Sequence, residues 1–69
     1  MTLDGYRIEC GWSKAEMARQ ARIDINTLNR ALDGEIVSAS TANKLARAIS
    51  KELDRKVLVR EIEGLNVNL

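Results

Sequence analysis

Between Ser13 and Leu32 the chain carries two short runs of apolar residues at helical spacing, each preceded by a capping residue. In the first, Met17, Ala18 and Ala21 share a face and predict a helix over 14–21. Ser13 followed by Glu16 fits a capping box, in which the hydroxyl accepts a first-turn amide and the Glu16 carboxylate reaches back. In the second run, Ile25, Leu28 and Leu32 form one stripe, and Asn26, Asn29, Arg30 and Asp33 form another. This predicts a helix over about 25–33, with Asp24 at its N-cap accepting from the amide of Asn26 or Thr27. The apolar stripe packs inward. The polar stripe presents amide, guanidinium and carboxylate groups, which suit a base edge, although an ordinary solvated helix face has the same pattern.

The flanking segments extend this picture. Leu3, Tyr6 and Cys10 predict a first helix over 3–10, weakened by Gly5 by about 1 kcal/mol relative to Ala and ended at Gly11. Trp12 stands at the following corner, where it reads as a packing residue. Gly34 stops the third helix, and 35–39 is expected as a loop whose Ile36 and Val37 fold back on the core. Ala42, Leu45, Ala46, Ile49 and Leu53 predict a fourth helix, capped by Ser40 or Thr41. Its Lys44, Arg47 and Lys51 line another face, read as solvated surface. A short fifth helix over about 58–63, closed by Gly64, is favoured over a strand at 56–60 suggested by Val57 and Val59. The last residues alternate, so Leu65, Val67 and Leu69 are either a frayed end or an extended arm; 57–69 is a candidate dimerisation tail.

Sixty-nine residues predict a single domain, 1–69, whose fold class is all-α: a compact bundle of four to five short helices. A chain this short buries only about 60% of its unfolded surface, so a partner subunit would help it. With no His and one Cys, neither a metal site nor an internal disulfide is expected, and Cys10 reads as a small buried apolar residue. The same cysteine usage fits the reducing cytoplasm, and no apolar run suggests a signal peptide or membrane span. The net charge of +1 leaves the distribution of charge, rather than its sum, to decide any affinity for nucleic acid. Nothing resembles a paired-carboxylate site, a nucleophile elbow or a phosphate-cradling glycine loop, so neither enzyme activity nor a cofactor is expected.

The arrangement as a whole resembles the lambda repressor/Cro-type (XRE-type) helix-turn-helix family, from about Leu3 to Leu53. The residues that carry the likeness are Arg7, the run GWSKAEMA at 11–18, Ile23, Asp24, Leu28, Gly34, and LARAI at 45–49. The resemblance implies a lambda-repressor-like domain with a central helix-turn-helix over about 13–33, whose third helix enters the major groove by its N-terminal end. Ile25, Asn26, Thr27, Asn29 and Arg30 would then read bases, Asn26 pairing with adenine and Arg30 with guanine. Ser13, Lys14, Arg22, Ser38, Ser40, Thr41 and Lys44 would contact phosphates. The chain departs from the family at three points: Arg22 replaces a turn glycine, Leu32 replaces the glutamate that pairs with the first-helix arginine, and the loop after Gly34 opens with Glu35 and has no basic residue. Without that glutamate, Arg7 is expected to turn to Asp33 or to water.

The function expected is a sequence-specific double-stranded DNA-binding transcriptional regulator of prokaryotic or phage type. It would be a repressor rather than an activator, acting as a homodimer. The alternative is a protein-interaction module or an antitoxin built on the same scaffold.

Overall fold

In the computed structural model, which describes residues 1–68, four helices form where apolar residues recur at spacings of three and four. They are α1 (Leu3–Cys10), α2 (Lys14–Ala21), α3 (Ile25–Leu32) and α4 (Ala39–Leu53). Each starts at an extended residue whose side-chain oxygen accepts a first-turn amide: Thr2 from Gly5, Ser13 from Glu16, Asp24 from Asn26 and Ser38 from Thr41, at 3.0–3.1 Å. The α4 cap is therefore Ser38, not Ser40 or Thr41, because the helix starts at Ala39, three residues before its first buried position, Ala42. The capping box at α2 is only half formed. Glu16 turns its carboxylate outward to Arg19 and Gln20 instead of back to Ser13.

One core joins the helices. Met17, Leu28, Leu45 and Ile49 are fully enclosed, and Leu3, Tyr6 and Trp12 close its α1 side. Cys10 is buried with them, as expected, and Arg55 lies over the Tyr6 ring at 5.9 Å. Burial in this apolar site, followed by the charges of Glu52 and Glu9, pushes the Cys10 thiol pKa up. Helix α2 packs against both α3 and α4, so it sets their relative placement.

The all-α expectation needs correction. Ile36–Ser38 (β1) pairs in parallel with Asn66–Asn68 (β2), aligning Val37 with Val67, so a small two-stranded sheet accompanies the helices. The Asn66 amide donates to the Gly34 carbonyl just ahead of β1. Strand geometry also explains why only half of the Ile36–Val37 expectation holds. Neighbouring side chains point to opposite faces, so Val37 is buried while Ile36 is 71% exposed.

Among the described residues no fifth α-helix forms, and 56–60 is not a strand. A single 3₁₀ turn, Val59–Glu61, occupies the region, with Glu61 accepting from the Leu58 amide at 2.9 Å. Val57 and Ile62 are both buried, and five residues along an α-helix would set them about 140° apart, too far to share one inward stripe. Ser50 fixes the approach: its Oγ accepts from the Val57 amide at 2.8 Å and donates to the Ala46 carbonyl at 2.7 Å. Leu65 and Val67 pack half-buried on the core of their own chain, so this part of the arm is extended and docked. Leu69 lies outside the described residues.

Candidate nucleic-acid interface

The connection from α2 to α3 is only Arg22, Ile23 and Asp24, and its geometry fixes which face of α3 looks outward. Arg22 adopts the left-handed conformation (φ 59°, ψ 45°) where the resembled family has glycine, so a side chain is accommodated there at a cost in backbone strain. The Ile23 amide returns to the Ala18 carbonyl at 3.0 Å, and the Ile23 side chain is half-buried against the core. From this corner α3 turns Leu28 and Ala31 inward.

Asn26, Asn29 and Arg30 are exposed, and Thr27 is half-buried beside them. Ile25 leaves the inward stripe expected for it and is 37% exposed, which adds an apolar contact to the helix's outer start. Among the described residues, no side-chain hydrogen bond or ion pair engages Asn26, Asn29 or Arg30. Four of the five expected base-reading side chains are thus exposed at the surface on one short helix, and the three polar ones have their donors and acceptors unoccupied.

The expected phosphate contacts separate into two sets. Ser13 and Lys14 lie exposed at the start of α2, and Ser38 and Ser40, with half-buried Thr41, at the start of α4. Helix N-termini favour anions, but three of these hydroxyls already have roles. Ser13 and Ser38 cap their helices, and Thr41 Oγ1 accepts from the Ser38 hydroxyl at 3.1 Å. Ser40 and Lys14 remain unengaged. Arg22 and Lys44 instead line a groove between the end of α2 and the middle of α4, together with Gln20, Arg47, Ala48 and Lys51. No α3 residue lines it. Arg47 and Lys51 were not among the expected site residues; their sequence signal, a basic stripe with Lys44 on one helix face, reads equally well as solvated surface.

Two ion pairs lie on the neighbouring helices α1 and α2. Arg19 bonds Glu16 at 2.6 Å, which lowers the Glu16 pKa and raises that of Arg19. Arg7 takes Asp4 at 2.7 Å and the Trp12 carbonyl at 2.9 Å, not Asp33, because Asp4 lies one turn away on the same helix. Its hydrogen bond holds the Asp4 carboxyl below the ordinary carboxylate range. Asp33 and Glu35 stand exposed beyond the end of α3. Among the described residues no group of His, Cys, Asp and Glu could hold a metal ion, and no helix is long and apolar enough to cross a membrane. Compared with known protein families, with curated proteins and with solved structures, the chain matches none of them.

Proposed function

We propose that this chain is a sequence-specific binder of double-stranded DNA, a transcriptional regulator of the lambda repressor/Cro type that its sequence resembles. The observation that carries this reading is the outer face of α3, where Asn26, Asn29 and Arg30 are exposed and unpartnered. A buried or internally paired set would be structural; an open set of amides and a guanidinium matches the donor and acceptor pattern of the major groove. Exposed Ile25 adds an apolar group suited to a thymine methyl. Lys14 and the α2 N-terminus, with Ser40 and the α4 N-terminus, serve the phosphates on either side. By the same resemblance the protein acts as a homodimer and represses by occupying its site, with half-sites about 34 Å apart.

Selecting duplexes from a random-sequence library tests this reading. An enriched inverted repeat is the expected result, and Asn29→Ala with Arg30→Ala should then erase preference at particular positions, by about 1–3 kcal/mol per lost contact. A pool without enrichment at low salt, from protein that is still folded, rejects it. The second reading, a protein-interaction module or antitoxin, draws support from Asp33 and Glu35, two exposed acids at the end of α3 where phosphates would lie.

A further inference from the structure

Affinity for duplex DNA comes largely from neutralised phosphates, and the α3 face is poorly supplied for that task. Arg30 and Lys14 are offset there by Asp24, Asp33 and Glu35. The groove between α2 and α4 differs sharply. Arg22, Lys44, Arg47 and Lys51 all line it and all are exposed. Among the described residues none of the four is in an ion pair. Glu52 stands at one end of the groove beside Arg19, whose charge already belongs to Glu16.

We propose that this groove grips the phosphate backbone of the duplex, outside the bases read by α3, and supplies the sequence-independent share of affinity. The inference rests on the DNA-binding reading above. Two further observations favour a phosphate chain over an acidic protein segment. The lining contains no aromatic and no large apolar side chain, only Ala21, Ala48 and the stem of Gln20 between the cations. Protein partners draw most of their energy from buried aromatic and apolar anchors, which this groove lacks, whereas a phosphodiester chain needs only charge and donors. Ser40, Lys44, Arg47 and Lys51 also follow one another at spacings of four, three and four on α4. They form a single stripe running from the helix N-terminus down into the groove.

The test is the salt dependence of binding to a selected duplex and to a random one, with a polyglutamate probe alongside. Neutralising the groove with Arg22→Gln, Lys44→Gln, Arg47→Gln and Lys51→Gln should flatten the slope of log K against log salt by about 3–4 on both duplexes. The preference for selected over random DNA should stay unchanged. The charge-keeping pair Arg22→Lys and Arg47→Lys should retain the parental slope, which separates charge from any loss of fold. An unchanged slope in the four-fold variant overturns the proposal. So does a variant that loses polyglutamate but not DNA, which would make the groove a site for acidic protein. If neither chain prefers the selected duplex but the slope still falls, the groove assignment stands and base reading by α3 fails.

Discussion

Arg22 holds a backbone conformation that costs a residue with a side chain about 1–2 kcal/mol, and its amide and those following still close the end of α2. Arg22→Gly should therefore stabilise the domain by about 0.5–1 kcal/mol net of glycine's greater unfolded freedom, a rise of several degrees in melting temperature. On the DNA-binding reading proposed above, it should at the same time remove about one unit from the salt slope of binding, so one variant reports strain and charge separately. Acid sensitivity is also set by single residues. The carboxyls of Asp4 and Glu16 titrate below their ordinary values through Arg7 and Arg19. Their contribution is present above the unfolded pKa and is lost as pH falls through the folded one. Asp4→Asn with Glu16→Gln should flatten the acidic limb of a stability-versus-pH curve and leave the neutral region with the smaller total. An unaltered acidic limb would show that these pairs contribute nothing. Cys10 behaves in the opposite sense: its raised pKa favours the thiol, so native protein should resist alkylation near neutral pH until it is unfolded.

Ser38 joins two elements, ending β1 and capping α4. Ser38→Ala should cost about 1 kcal/mol in chemical denaturation, while Ser40→Ala should stay within about 0.5 kcal/mol. Equal costs would shift the cap back to where the sequence suggests it. That contrast shows what the sequence could reveal. The four helices are legible because their signal is local: Met17, Ala18 and Ala21, or Leu45, Ala46 and Ile49, mark a face within a few turns. The outer face of α3 is legible for the same reason, since Asn26, Asn29 and Arg30 share its polar stripe. The sheet is not, because Ile36 pairs with Asn66 thirty positions later and three-residue strands leave no period to detect. Arg7 pairs with Asp4 and not with Asp33, because an acid one turn away on the same helix needs no tertiary contact to reach it. The basic groove needs α2 and α4 side by side before Arg22 and Lys44 can be seen as one surface.

At the scale of the molecule, the chain closes on itself through its C-terminal arm. β2 lies on β1, the Glu63 amide donates to the Met1 carbonyl at 2.9 Å, and the Met1 ammonium lies 3.4 Å from the Glu63 carboxylate. Leu65 and Val67 each cover part of the core, and burying such a side chain completely is worth about 1.5–3 kcal/mol. A domain of this length holds only about 3–10 kcal/mol in total, so removal of 65–69 should lower the melting temperature by about 4–8 °C for each kcal/mol the arm contributes, without unfolding the helices. Because both strands belong to one chain, that loss should be the same at every protein concentration. Melting the 69-residue chain and the chain without 65–69 over a dilution series checks this. If the longer chain weakens on dilution and the truncated one does not, the arm bridges two subunits, and the candidate dimerisation tail at 57–69 becomes the interface through which a pair of α3 helices is spaced on DNA.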